Sequence, residues 1–203
     1  RFSMVGNQKR QHIASINLAN HTLLPFSPPA ISDISPKINS IDIANSKLFV
    51  GGTFNSIGTF GRAGLAALDL ISGTVLPWKP DFDSYSGDTY CIKADNGFLY
   101  VSGYYSGENG SKHGISRYNL LTGESDGWDP TTDRVFNSIL PLGDVVFAGG
   151  SPLNDTVHTE TGLMCFDKTT GDWIENNQTL RGVPYTLSEN SGKLFVGGSI
   201  DGT

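Results

Sequence analysis

Three carboxylates, Asp81, Asp83 and Asp88, fall within the eight residues DFDSYSGD, the kind of oxygen-rich stretch that gathers around calcium. An EF-hand loop requires glycine at its sixth position and a carboxylate at its twelfth. Counted from Asp81, Gly87 is seventh and Ile92 twelfth, so that loop is excluded. A looser calcium site in a connecting loop and a solvated acidic turn both fit the residues. The turn is the simpler reading, and no other cofactor is expected. Asp81, Asp83, Asp129 and Asp133 also lie on equivalent connections of the repeat described below. Two of them meeting at one pocket mouth would supply the paired carboxylates of a glycoside hydrolase. The histidines His12, His21, His113 and His158 stand at no metal-ligand spacing from one another, from cysteine or from a carboxylate, and read as surface or turn residues. Cys91 and Cys165 occupy non-equivalent places in the repeat. A disulfide, which needs Cα atoms within ~7 Å, and two small buried thiols are both open. No residue is assigned a catalytic role and no metal site is assigned.

Binding without chemistry has better candidates. Residues 104–112 (YYSGENGSK) set Tyr104 and Tyr105 beside a polar, glycine-rich turn, and residues 151–161 form a second irregular stretch. Such stretches depart from the repeat, which is where a ligand-binding loop belongs. Asn-x-Ser/Thr sequons occur at Asn20, Asn109, Asn154 and Asn177, a number this composition yields by chance. All four fall in expected turns, so a eukaryotic secreted chain could carry glycans there without damage to a core.

The elements that position these residues follow from composition. Apolar residues make up 37%, glycine numbers 25, and Lys plus Arg only 14, a mixture suited to many short strands joined by turns. The net charge of −6 repels phosphate backbones and excludes nucleic acid as a partner. No stretch approaches the roughly 20 apolar residues of a spanning helix; the most apolar patch, around residues 23–34, is cut by Pro25, Pro28 and Pro29. Position 1 is arginine, with no signal peptide behind it, so processing or membership of a longer polypeptide is expected.

A period of about fifty residues organises the chain. LFVGG at residues 48–52 returns as LYVSG at 99–103, VFAGG at 146–150 and LFVGG at 194–198, with intervals of 51, 47 and 48 between the last glycines. A second phrase accompanies it: IASINL at 13–18, LAALDL at 65–70, ISRYNL at 115–120 and LMCFDK at 163–168. A Ser-Gly or Thr-Gly turn follows at Gly73, Gly123 and Gly171, with Asn20-His21-Thr22 as the irregular member, and then an aromatic residue, Phe26, Trp78, Trp128 or Trp173. LFVGG predicts a buried strand stopped by a tight turn, and LAALDL predicts a strand of two-residue alternation. Asn17, Asp69, Asn119 and Asp167 share one repeat position and are expected to cap the turns. The recurring tryptophans are expected to pack between units, in preference to stacking on sugars. A further short strand is expected before each tryptophan. Another is expected in INSIDI (38–43), TYCIKA (89–94), VFNSIL (135–140) and PYTLSE (184–189).

Four antiparallel strands per unit at this spacing predict an all-β chain of propeller blades. The repeats run 1–52, 53–103, 104–150 and 151–198, with the start of another at 199–203. The final SIDGT restarts a segment that RFSMV already occupies, which favours membership of a larger ring over a closed four-bladed one.

The string VGGTFNSIG…GRAGLAALDLISGTVLPWKP resembles the repeats of bacterial delta-sixty-type propellers, most fully over residues 50–80. It is also similar to the Kelch-like ectodomain of fungal cortical polarity markers. Both resemblances imply a secreted or cell-surface protein with a structural or adhesive role, bound to other proteins, to surface glycans or to neighbouring subunits of an assembly such as a filament or appendage. A carbohydrate-binding or carbohydrate-processing propeller is the alternative. Ala67, Asp69, Ser72, Gly73 and Trp78 also resemble the tryptophan-docking motif of quinoprotein dehydrogenases, with one extra residue before the tryptophan. That resemblance implies blade-to-blade stapling, with a quinone-dependent oxidoreductase as a third reading; the adjacent cysteine pair of that family is absent.

Overall fold

The computed structural model describes residues 2–80, 86–107, 110–130, 132, 134–152, 161–175 and 180–200. Among them are sixteen strands and no helix. In chain order these are β1 (Met4–Val5), β2 (Gln8–Lys9), β3 (Ile31–Ser32), β4 (Lys37–Ala44), β5 (Lys47–Thr53), β6 (Ser56–Ile57), β7 (Phe60–Gly61) and β8 (Leu65–Asp69). They continue as β9 (Ser86–Asp95), β10 (Phe98–Gly107), β11 (Gly110–Asn119), β12 (Arg134–Leu142), β13 (Val145–Pro152), β14 (Leu163–Asp167), β15 (Gly182–Asn190) and β16 (Lys193–Ile200). Every pairing is antiparallel. The expectation of an all-β chain is met by several small sheets.

The repeat appears as three successive meanders, β4-β5-β8, β9-β10-β11 and β12-β13-β14, followed by the hairpin β15-β16. One residue pair, Thr53 with Asp88, joins the first two meanders into a six-stranded sheet. The short strand expected before each tryptophan is reduced to one bridge: Ile16 with Leu23, Leu68 with Val75, Tyr118 with Ser125, and Phe166 with Trp173. The tight Asp69–Thr74 type of turn uses up the residues that a longer ladder would need. The turn cap is formed as its residue type dictates. Asp69 Oδ1 accepts from the amides of Ile71 and Ser72, and Asn17, Asn119 and Asp167 each accept from the corresponding two amides.

LAALDL differs from its expected alternation. Leu65 to Leu68 are all buried, because successive side chains point into two different cores. Leu48, Val50, Ala66 and Leu68 face a cluster with Ile13, Phe26, Phe54 and Ile57. Phe49, Leu65 and Ala67 face the other way, onto Trp78, Ile92, Leu99 and Val101 of the next meander. Tyr100 then turns forward into a third cluster with Trp128, Phe136, Val146 and Met164. A sheet covered on both faces reads as a continuous apolar run. Each fully buried Phe or Leu contributes about 1.5–3 kcal/mol.

The two glycines of each VGG phrase do different work. A methyl group at Gly51 would collide with Thr89 Cγ2 of the next meander, and one at Gly149 with Pro184 Cβ. A methyl group at Gly52 would instead strike the carbonyl of Lys37 in its own sheet, and one at Gly150 that of Val135. The first glycine lets meanders approach, and the second lets a β-bulge form. Cys91 and Cys165 are free thiols, Cys165 buried and Cys91 half-buried.

Candidate functional site

The first strands of the three meanders and of the hairpin, β4, β9, β12 and β15, lie one against the next in chain order. Each carries a bulge at the same repeat position, so that Asn39, Tyr90, Asn137 and Tyr185 have no residue opposite them. From its bulge Asn39 Nδ2 donates to the Thr89 carbonyl at 2.9 Å, and Asn137 Nδ2 to the Pro184 carbonyl at 3.3 Å. The residue after each bulge carries a small hydroxyl or thiol. Ser40 Oγ accepts from the Ile92 amide at 3.1 Å and Ser138 Oγ from the Leu187 amide at 3.0 Å. Cys91 stands between them at the same position, near the Ile139 amide and the Ser40 hydroxyl, with its Sγ 3.8 Å from the Ile92 carbonyl to which it donates. Burial pushes the Cys91 thiol up, outweighing that amide, that hydroxyl and the charge of Lys93. A protonated thiol in this line is a hydrogen-bond partner and a poor nucleophile. Sequence reading passed over these residues, although a signal is present: Asn-Ser, Tyr-Cys, Asn-Ser and Tyr-Thr recur at 39–40, 90–91, 137–138 and 185–186.

The stretch read as an irregular loop at residues 104–112 is corrected by the structure. The β10–β11 ladder continues through Tyr104–His113 and Tyr105–Lys112 to Gly107–Gly110, so both tyrosines are strand residues. Tyr105 turns inward against Leu99 and Tyr118, and its hydroxyl lies 2.6 Å from Thr89 Oγ1; burial pushes its phenol up. Tyr104 lies on the other face, its ring 4.5 Å from that of His113. Burial, with the nearby Asp88 and Tyr104, raises the Tyr90 phenol, so Asp88, Tyr90, Tyr104 and His113 form one polar aromatic group at the end of β9 and β10. His113 Nδ1 is buried without a hydrogen-bond partner among the described residues.

Two of the clefts border residues discussed above. One, of about 190 Å³, is lined by Asp129, Thr132, Thr170, Asp172 and Trp173. The other, of about 300 Å³, is lined by Phe2, residues 12–14 and Ile38 to Ile41 of β4. Asp81, Asp83, Asp133, His158, Asn109, Asn154 and Asn177 lie outside the described residues, as does most of the 151–161 stretch. Asn20 is exposed in its turn, its Oδ1 accepting from the amide and hydroxyl of Thr22. Among the described residues no three His, Cys, Asp or Glu side chains are grouped to hold a metal ion. Among the described residues no helix is long and apolar enough to cross a membrane.

The tryptophans tie successive meanders together. Trp78 Nε1 donates to the Asn119 carbonyl at 2.9 Å and Trp128 Nε1 to the Asp167 carbonyl at 3.0 Å. Their rings stand edge-on to Phe49 at 5.0 Å and Tyr100 at 5.4 Å. Around Trp128, Arg117 bonds Asp126 and the Lys168 carbonyl while lying 5.3 Å over the indole. Burial alone would raise the Asp126 carboxyl, but Arg117 and the Trp128 amide hold it below the usual range.

No protein-family model matches the chain, and no curated protein does. Among solved structures it is similar to the computationally designed Ika4 protein, with a TM-score of 0.55 and 11% identity, over 85% of this chain and 93% of that one. It is also similar to the computationally designed Ika8 protein, with a TM-score of 0.52 and 12% identity, over 81% of this chain and 44% of that one. At such identities the likeness concerns fold alone.

Proposed function

We propose that the chain is a β-propeller, or part of a larger one, whose four-stranded blades serve as a rigid, non-catalytic interaction module of a secreted or cell-surface assembly. The supporting observation is the repeated link from one meander to the next, Trp78 to the Asn119 carbonyl and then Trp128 to the Asp167 carbonyl. The same link made twice, with the leading strands β4, β9, β12 and β15 adjacent in order, is what stacking around a common axis requires. The partners are other proteins, surface glycans or neighbouring subunits. The acidic net charge and the resemblance to surface propellers support that placement. Recovery of the native polypeptide from the cell-surface fraction, by mass spectrometry, tests it; recovery from cytosol alone overturns it.

A carbohydrate-binding role is favoured by one place, the 190 Å³ cleft in which the exposed Asp129 and Asp172 stand with Trp173. An apolar ring face beside hydrogen-bonding carboxylates is the usual means of holding a sugar. A glycan array probes this second reading, with Trp173→Ala as the control that should abolish any signal.

A further inference from the structure

We propose that the 190 Å³ cleft between the second and third meanders seats one hexosamine ring whose amine is free and protonated, the ring lying on Trp173 and the amine at Asp129 and Asp172. This rests on the carbohydrate reading of that cleft and adds the class of sugar.

Trp173 does not stand at the position from which Trp78 and Trp128 tie meanders together. The isolated bridges align it with Leu23, Val75 and Ser125, which pair with Ile16, Leu68 and Tyr118 as Trp173 pairs with Phe166. Phe26, Trp78 and Trp128 stand three places further on, where the sequence has Asn176. The expectation that every recurring tryptophan packs between units is therefore corrected at Trp173. Its ring is 39% exposed, whereas Trp78 and Trp128 are buried. Beside it in the cleft lie Met164 and Phe166, which belong to the cluster shared with Tyr100 and Trp128 of the second meander. The walls thus come from two whole meanders, β9-β10-β11 and β12-β13-β14.

The cleft is open because one turn stands off from the loop before it. A methyl group at Gly123 would strike the Lys79 carbonyl, and one at Gly73 would lie 2.9 Å from the Pro28 nitrogen. At the equivalent Gly171 the nearest atom would be Trp128 Nε1, at 3.5 Å. The charges of this gap are also its own. Between the first and second meanders the loop and the turn carry Lys79 and Glu124, of opposite sign. The same two positions between the second and third carry Asp129 and Asp172, both exposed and both acidic.

An indole face takes the C–H face of a sugar ring and attracts a cation. Carboxylates bind a protonated amine more strongly than a hydroxyl, and they repel a uronate. Thr132, which also lines the cleft, keeps its Oγ1 buried with no hydrogen-bond partner among the described residues. A ligand hydroxyl seated beside it supplies one. The volume lies below the ~300–1,000 Å³ of pockets for larger ligands, so the room suits a single ring.

The test follows the three indole N–H signals of the isotope-labelled chain at about pH 6, below the ordinary range of an amine. That of Trp173 is assigned by its loss in Trp173→Phe. Methyl glucosaminide, methyl N-acetylglucosaminide and methyl glucuronide are titrated in turn. The Trp173 signal alone should move, and the glucosaminide should bind at least about tenfold more tightly than the glucuronide. Asp129→Asn/Asp172→Asn should bring the three sugars within about twofold of one another, since neutral amides give no charge preference. Ethanolamine, a protonated amine without a ring, should bind at least about tenfold more weakly than the glucosaminide. Unmoved Trp78 and Trp128 signals report that parent and variants are folded. Equal binding of the three sugars by the parent chain overturns the amine assignment and leaves the carbohydrate reading standing. Ethanolamine binding as well as the glucosaminide overturns the proposal, because the ring then contributes nothing. A Trp173 signal unmoved by every sugar overturns the proposal and the carbohydrate reading together.

Discussion

Trp78 donates its indole Nε1–H to the carbonyl of Asn119, a residue 41 positions later in the chain. The carbonyl belongs to the very residue whose side chain caps the next turn, so one backbone position joins a turn to the preceding meander. The indole supplies both a hydrogen bond and a large apolar surface, and the two contributions can be separated. Trp128→Phe removes the bond and keeps most of the ring, as Phe26 does at the equivalent position. It is expected to lower stability by about 1 kcal/mol. Trp128→Ala empties a buried site and is expected to cost about 3–5 kcal/mol. Urea-unfolding midpoints of the two variants check the order.

Ser102 occupies the place held elsewhere by Gly51 and Gly149, is fully buried, and donates to the Phe136 carbonyl at 2.8 Å. At this boundary a hydroxyl bonds the next meander instead of yielding space to it. Ser102→Gly is therefore expected to cost about 1 kcal/mol. Gly51→Ala, which drives a methyl group into Thr89, should cost about 1–3 kcal/mol. Thermal unfolding of both variants is the measurement; a more stable Gly51→Ala protein would contradict the close approach described.

Cys91 shares its line with Ser40 and Ser138, and serine is expected to replace it with little change in stability. Cys91→Val removes a polar partner from this line and is expected to cost more stability than Cys91→Ser, by about 1 kcal/mol. Because burial raises the thiol, alkylation at neutral pH is expected to be much slower than for an exposed thiol such as glutathione, and to speed up on unfolding. Mass spectrometry after timed alkylation reads this directly.

The caps at Asp69 and Asp167 predict an acid-sensitive component of stability. Turn amides and the adjacent hydroxyl hold both carboxyls below their ordinary value. A group depressed in the folded state stabilises fully above its unfolded pKa, about 3.9, and loses that contribution as pH falls through the folded value. Asp69→Asn/Asp167→Asn keeps the cap, as Asn17 and Asn119 show. The double variant should match the parent at pH 7 and fall off less steeply below pH 4. Unfolding midpoints measured from pH 7 to pH 2 decide it.

Much of the fold was legible because its devices recur in register. LFVGG, the capped turn and the tryptophan each announce themselves four times or nearly so. LAALDL misled because two-residue alternation tells which residues share a face, without saying that both faces are covered. Tyr104 and Tyr105 misled in another way, since glycines and polar residues suggest a loop while hairpin pairing in fact continues past them. The line of Ser40, Cys91 and Ser138 was hidden by chemistry. Asn-Ser, Tyr-Cys and, in the last hairpin, Tyr-Thr fill one geometric slot, and their common property is a small hydroxyl or thiol one residue after a bulge.

Alternate side chains of β5, β8 and β10 enter different clusters, so each meander shares its interior with its neighbours in sequence. Mechanically, this makes the molecule a chain of adjoining rooms with party walls. Removing an outer room leaves one wall bare, whereas damage in the middle opens two at once. Under tension applied at its ends the protein should therefore shed units of about fifty residues in sequence, outermost first, and resist longest around β10.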